Sequence, residues 1–206
     1  MQSIIQGYRK FQTDFTANRK DFFEQLSAQG QKPKAIVIAC CDSRVDPTIV
    51  TNADPGDLFI IRNVANLVPP YEHDNSGYHG VSSALEFGVS VLEVSNIIVF
   101  GHSNCGGMGS LFQAKYNQSN NFIAKWMDLA KPSAELVERK YTHLGLEEKI
   151  NLCSCYSLIN SFNNLQTFPW IAQKIAQKKL TLHAWYFDIA KGQILYLNQN
   201  QEFISL

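Results

Sequence analysis

Residues 35–44 read AIVIACCDSR. The first half is a short continuous apolar run, the pattern of a strand buried on both faces of a sheet. The second half changes abruptly to two thiols, a carboxylate and a guanidinium. Two more runs of the first kind follow, LFII at 58–61 and NIIVF at 96–100, and between them HGVSSALEFGVSVLE at 79–93 carries a helical pattern. Strand, connection, strand, helix, strand points to a parallel sheet with helical cover.

Working outward, the segments 107–116, 121–129, 133–140 and 145–163 read as helices, with Pro132 as a break. After Pro169 a short basic helix precedes TLHAWYFD at 181–188, and Gly192 separates that strand from residues 194–197, so the pair reads as a hairpin. Towards the N-terminus, Ile4, Ile5, Tyr8, Phe11, Phe15, Phe22, Phe23 and Leu26 make an apolar stripe on a helix over residues 3–28, punctuated by Gly30 and Pro33. The fold class is therefore α/β: a central, mainly parallel β-sheet flanked by helices, with an N-terminal helical arm at 1–30 and a C-terminal helical region and hairpin. Residues 31–206 form one domain, and the phenylalanines of the arm suggest docking onto a body or a partner subunit.

Composition narrows the function classes. Eighteen basic residues balance eighteen acidic ones, so no net field favours nucleic acid or an anionic membrane. No apolar stretch approaches the length of a membrane span, and the first twenty residues lack the h-region of a signal peptide. Five cysteines without such a signal fit a reducing compartment, the cytoplasm, better than a disulfide framework. The thiols are left for metal binding, catalysis or burial.

Two motifs sit just past strand ends, where α/β sheets build their sites. One is Cys40-Cys41-Asp42-Ser43-Arg44; the other is His102-Ser103-Asn104-Cys105-Gly106-Gly107. Cys40, His102 and Cys105 can supply three ligands to a tetrahedral zinc and leave the fourth position open, as in catalytic sites. Gly106-Gly107 lets the backbone fold closely around the ligand loop. A lone His-x-x-Cys carries little weight; the second cysteine and the strand-end placement carry more. Cys41 competes with Cys40, because neighbouring strand residues point to opposite faces and only one reaches a metal. Spacing alone does not choose between them. Arg44 can hold the Asp42 carboxylate off the metal and aim it at a bound water. The blander reading of that pair is a solvated surface ion pair. Cys153 and Cys155, on an expected helix, read as core.

These motifs resemble the β-class carbonic anhydrases. The resemblance runs from about residue 31 to 192 and includes C-x-D-x-R at 40–44, Pro55-Gly56-Asp57, Arg62-Asn63-Val64-Ala65-Asn66, the Gly101 to Gly107 segment and LHAWYFD at 182–188. It implies that the first residue of C-x-D-x-R is the ligand, hence Cys40, His102 and Cys105 on one Zn²⁺ per subunit, with Asp42 and Arg44 as the catalytic pair. It implies a homodimer, at times a dimer of dimers, with the N-terminal helix packed over the neighbouring subunit. In the plant-like, open-site type a Gln, a Phe and a Tyr line the carbon dioxide pocket; Gln31 and Phe59 match the first two, and Phe87 stands at the Tyr position. Val64 and Gly106 complete the expected pocket. The other type has a Trp-Arg-Tyr bicarbonate pocket; here Arg62 is present, but Val37 and Phe187 stand at the Trp and Tyr positions, so the open type fits better.

The expected function is zinc-dependent, reversible hydration of carbon dioxide to bicarbonate and a proton. Two thiolates cancel the formal charge of the metal, so its water is acidified less than at a three-imidazole site, and activity should rise above neutral pH. The proton's way out is assigned to no residue, with His73 and His79 as candidates. Alternatives are a related zinc hydrolase of carbon disulfide or carbonyl sulfide, and a non-catalytic assembly protein in which Asp42 closes a structural zinc site. A nucleotide-binding domain lacks the G-x-G-x-x-G order and a phosphate-binding lysine.

Overall fold

The computed structural model describes residues 1–74, 76–113 and 121–206. The chain divides into two compact units, Met1–Lys32 and Pro33–Leu206. In the first, helix α1 (Gln2–Asp14) runs through a π-helical turn (Phe15–Arg19) into helix α2 (Lys20–Gln29), which ends at Gly30 with φ 68°. The π turn was not legible in the apolar spacing, and it explains how the phenylalanines meet. Along an unbroken α-helix Phe23 would sit about 120° around from Phe11, and one inserted residue brings it back to roughly the same face. Phe11, Phe15, Phe22 and Phe23 accordingly pack with ring centroids 5.3–6.0 Å apart. Ile4, Ile5, Tyr8 and Phe11 of the same unit keep 44–69% of their surface exposed, the state of an unpartnered apolar face.

The second unit is built on a six-stranded sheet: β1 (Ala35–Cys40), β2 (Leu58–Asn63), β3 (Asn96–His102), β4 (Thr181–Asp188), β5 (Gln193–Leu197) and β6 (Phe203–Ser205). The strand order is β2-β1-β3-β4-β5-β6. Its first four members are parallel, and β4, β5 and β6 are antiparallel. The hairpin expected at 181–197 is present; β6 extends it by a strand that the sequence pattern did not reveal.

Among the described residues seven α-helices accompany the sheet: α3 (Pro47–Thr51), α4 (Gly80–Glu86), α5 (Gly106–Ser110), α6 (Phe122–Met127), α7 (Lys131–Lys140), α8 (Leu146–Leu165) and α9 (Pro169–Ala176). Three differ from expectation. Helix α4 gives way to a π-helical turn at Phe87–Val91. Pro132 is no break: it lies in the first turn of α7, where its missing N–H leaves no bond unmade, and a 3₁₀ turn at Asp128–Ala130 leads into it. The helix expected at 107–116 is α-helical only to Ser110, and its last three residues lie outside the described ones. Helix α3 was not anticipated; Asp46 caps it by accepting the Thr48 N–H at 2.9 Å, with Pro47 following.

Every residue of β1 is buried, as the unalternating run requires. Ile36 and Ile38 pack with Ile97, Val99, Leu85, Leu158, Leu165, Phe168 and Ile171 on one face, and Val37 and Ala39 join Ile98 and Phe100 on the other. From β1 the chain passes to β2 on one side, then returns past β1 to β3 and onward to β4 on the other. The carboxyl ends of β1 and β3 therefore flank the topological switch point, the place where such sheets open a crevice.

Candidate metal centre and active site

Cys40 ends β1, His102 ends β3, and Cys105 stands at the start of α5. Their ligating atoms lie within 4.8 Å of one another and all three residues are buried, with the two sulfurs 3.9 Å apart. Among the described residues no other set of three His, Cys, Asp or Glu groups converges in this way. Cys41, the rival for the first position, lies just past the end of β1 and is exposed.

The donor set fits zinc. His102 Nδ1 lies 2.9 Å from the Ser103 carbonyl, to which only an Nδ1–H can donate, so Nε2 carries the lone pair. That nitrogen is buried with no hydrogen-bond partner, an arrangement that a cation would relieve. The sulfurs show the same tension. Hydrogen bonding from the Cys105 thiol draws the Cys40 thiol well below its ordinary value despite burial, and the Asp42 backbone and the Ala65 N–H, which donates at 3.3 Å, add to this. The shared proton and burial push Cys105 up instead. Two neighbouring thiolates cannot both form there without a positive charge between them.

Asp42 reaches the rim of this cluster, its Oδ2 3.8 Å from His102 Nε2. Arg44 grips both carboxylate oxygens, donating from Nε to Oδ1 at 3.0 Å and from Nη2 to Oδ2 at 2.8 Å; Nη2 also donates to the Asn104 carbonyl at 3.0 Å. Those side-chain bonds, with the Arg44 N–H on Oδ1, hold the Asp42 carboxyl down at about 2, ionised and restricted to accepting hydrogen bonds. Half of the Arg44 side chain is exposed, so the pair adds about 0–1 kcal/mol to stability at most; its effect is to fix a direction.

The remaining expected residues are more dispersed. Phe59 lies on β2 and Phe87 on the π turn, their rings 6.0 Å apart. Val64, 40% exposed, accepts a 2.8 Å hydrogen bond from Trp126 Nε1 through its carbonyl. Gln31 belongs to the N-terminal unit and is exposed. Of the two glycines, only Gly107 is closely packed: a Cβ there would lie 2.9 Å from the Ala65 Cβ, whereas at Gly106 it would meet nothing within 4 Å. Val37 and Phe187 belong to one apolar cluster. Cys153 and Cys155 are held in their thiol form, pushed up to about 12 by burial.

Two contributors were missed. Arg62 donates to the Cys40, Asp42 and Val45 carbonyls at 2.7, 3.0 and 2.8 Å, binding the whole ligand loop to β2. Ala65, at φ 63°, turns its N–H onto Cys40 Sγ. The segment Arg62 to Asn66 had been singled out as a motif, but nothing in it shows that its contacts are to the backbone and sulfur of β1.

Comparison with known proteins agrees with this geometry. The family model described as carbonic anhydrase matches residues 35–194. A carbonic anhydrase of Synechocystis sp. is 37% identical over 196 residues, covering 95% of this chain and 70% of its own. One from Pseudomonas aeruginosa is 36% identical over 207 residues, covering 100% and 92%. Among solved structures, the β-carbonic anhydrase CcaA superposes with a TM-score of 0.92 at 35% identity, covering 100% of this chain and 99% of that one. A tetrameric β-carbonic anhydrase of the ascomycete Sordaria macrospora gives 0.83 at 26% identity, covering 95% of each. A mainly parallel sheet with a Cys-His-Cys cluster at its switch point is compatible with an α/β metalloenzyme. The chain belongs to the carbonic anhydrase family and, within it, to the β class of carbonate dehydratases.

Proposed function

We propose that this chain catalyses the reversible hydration of carbon dioxide to bicarbonate and a proton, with one zinc ion per subunit held by Cys40 Sγ, His102 Nε2 and Cys105 Sγ. The observation that carries the reading is the buried convergence of these three donors beside an Arg44-clamped carboxylate. When bound, zinc supplies a Lewis acid that makes a water-derived nucleophile available near neutral pH. The Ser103 carbonyl keeps the His102 lone pair on Nε2, and the Ala65 N–H spreads charge from the Cys40 sulfur. Arg62 holds the loop that carries Asp42.

Asp42 is the catalytic residue of this scheme. As an ionised carboxylate it accepts a hydrogen bond from the attacking water, turning a lone pair of that water towards the carbon of carbon dioxide, and it cannot donate one in return. It also repels the unprotonated oxygens of bicarbonate, which favours release of the product. Phe59, Phe87, Val64 and Gly106 are proposed to form the pocket, the paired phenylalanines offering an apolar wall to an uncharged gas. Both Asp42 oxygens are engaged by Arg44, which favours this enzyme over an assembly protein whose zinc is closed by Asp42.

The chain is further proposed to act as a homodimer, or a dimer of dimers, in the cytoplasm, the N-terminal unit packing on a partner subunit. The exposed Ile4, Ile5, Tyr8 and Phe11 support that assembly, as does the tetrameric Sordaria relative. Among the described residues no helix is long and apolar enough to cross a membrane. Stopped-flow hydration of carbon dioxide by wild type and Asp42→Asn tests the reading: a loss of about 100-fold or more is expected for the variant, and unchanged rates would remove Asp42 from the mechanism. Parallel assays with carbon disulfide and carbonyl sulfide test the alternative: faster turnover of either than of carbon dioxide would favour the related hydrolase.

A further inference from the structure

The Asp42–Arg44 pair is anchored to a residue whose own placement is set from outside both motifs. Asn104 lies between two of the proposed ligands, His102 and Cys105, with φ 53°, a left-handed conformation that asparagine tolerates better than most residues. Its carbonyl accepts from Arg44 Nη2, the same nitrogen that donates to Asp42 Oδ2, so both hydrogens of that nitrogen are committed. The remaining polar groups of Asn104 turn the other way, to helix α8. Its N–H donates to Asn151 Oδ1 at 2.7 Å and its side-chain Nδ2 donates to Glu147 Oε1 at 3.0 Å.

Glu147 and Asn151 are four residues apart, hence on one face of the helix and one turn apart. The start of α8 is itself fixed, because Glu148 Oε2 accepts the Gly145 N–H at 2.9 Å. Its distance from β3 is fixed as well: Gly101 has no Cβ, and one there would lie 2.8 Å from Leu158 Cδ1. Helix α8 is thus seated on β3 one residue before His102, and its first two turns hold Asn104 by backbone and side chain together.

We propose that Asn151 and Glu147 are positioning residues for the hydration reaction: by holding the N–H and side chain of Asn104 they fix its backbone, whose carbonyl orients Arg44, and through Arg44 they aim Asp42. This rests on the catalytic role of Asp42 given above. With its N–H and side chain released, Asn104 is free to turn about φ and ψ; Arg44 then loses the carbonyl that sets the plane of its guanidinium, and Asp42 loses its fixed direction without leaving the site. Displacements of this kind lower turnover more than they lower substrate affinity.

The test compares zinc-loaded wild type, Asn151→Leu, Asn151→Asp and Glu147→Ala. Leucine matches the size of asparagine without an acceptor, and aspartate keeps an acceptor oxygen. Asn151→Leu should lower kcat by about 10- to 100-fold with KM within about threefold and zinc content unchanged, the range seen when outer partners of a metal site are removed. Asn151→Asp should recover kcat to within about fivefold of wild type, and Glu147→Ala should lose about 3- to 10-fold. In an Arg44→Ala background Asn151→Leu should add no further loss, since it acts through Arg44.

Amide hydrogen exchange gives a readout independent of turnover: the Asn104 N–H, protected in wild type, should exchange at least about tenfold faster in Asn151→Leu. Unchanged kcat in Asn151→Leu overturns the proposal, as does an equal loss in Asn151→Asp, which would mark a general packing role. Should Asn151→Leu fail to fold, wild-type kcat in the surface variant Glu147→Ala overturns it equally. Wild type that is zinc-loaded but does not hydrate carbon dioxide would instead defeat the catalytic reading, while the exchange result would still report on the Asn104 anchor.

Discussion

Replacing Gly107 with alanine sets a Cβ 2.9 Å from the Ala65 Cβ and 3.1 Å from Val64 Cγ1. The nearer neighbour cannot yield by a rotamer change. The Ala65 Cβ is fixed to a backbone already at φ 63°, and Val64 carries the carbonyl that accepts from Trp126. Relief must therefore come from the backbone at 64–65, which moves the Ala65 N–H away from Cys40 Sγ. Overpacking of this sort costs about 1–3 kcal/mol, or about 2–12 °C in Tm for a chain of this size. Zinc affinity should fall by about 10-fold or more, because a hydrogen bond to a ligand is lost. The neighbouring Gly106 supplies the control: a Cβ there meets nothing within 4 Å, so Gly106→Ala should stay within about 1 kcal/mol of wild type. Thermal melts of the metal-free proteins and zinc competition with a chromogenic chelator read both effects. A Gly107→Ala protein with wild-type Tm and wild-type zinc affinity would refute the packing argument, and equal losses at both glycines would show that the helix, rather than the Ala65 contact, sets the result.

Leu158→Ala, which empties a fully buried position where α8 meets β3, should cost about 2–5 kcal/mol in urea denaturation, with a smaller value showing that the site collapses. Arg62→Ala removes three hydrogen bonds to the 40–45 loop and should lower zinc affinity by at least about 10-fold while Arg62→Lys recovers part of it, measured by chelator competition. Asp46→Ala should lose about 1 kcal/mol at neutral pH through the missing helix cap. The Thr48 hydroxyl and amide hold the Asp46 carboxyl below its ordinary value, so its contribution is complete above the ordinary carboxylate range and disappears as pH falls through the lower folded value. The stability gap between Asp46→Ala and wild type should therefore narrow in acid, and a gap that stays constant from neutral to strongly acidic pH would contradict this assignment.

How far the sequence reveals the molecule depends on the range of the interaction. The strands at 35–40 and 96–102 are legible because burial on both faces writes an uninterrupted apolar run, and the half-buried strand at 58–63 is legible from its apolar start, LFII. Strand β6 is not: three residues after a polar turn, two of them exposed, leave no period to detect. The π turns at Phe15–Arg19 and Phe87–Val91 escape for a related reason, since one inserted residue shifts a helical period without erasing it. Cys40, His102 and Cys105 could be grouped because parallel strands present their ends together. The roles of Arg62, Asn151 and Glu147 could not, because each acts on a backbone atom or side chain 20 or more positions away. Likewise Gly106-Gly107 reads as one flexible unit, and only tertiary contacts show that Gly107 alone needs to lack a side chain.

The central claim is that two sulfurs and one imidazole nitrogen hold a zinc ion on which turnover depends. Zinc content and stopped-flow carbon dioxide hydration, measured on one preparation of wild type and of His102→Ala, address it directly. The account predicts a single zinc ion per wild-type chain with rapid hydration, and loss of both in the variant. Rapid hydration by wild type stripped of zinc, or by zinc-free His102→Ala, would contradict it.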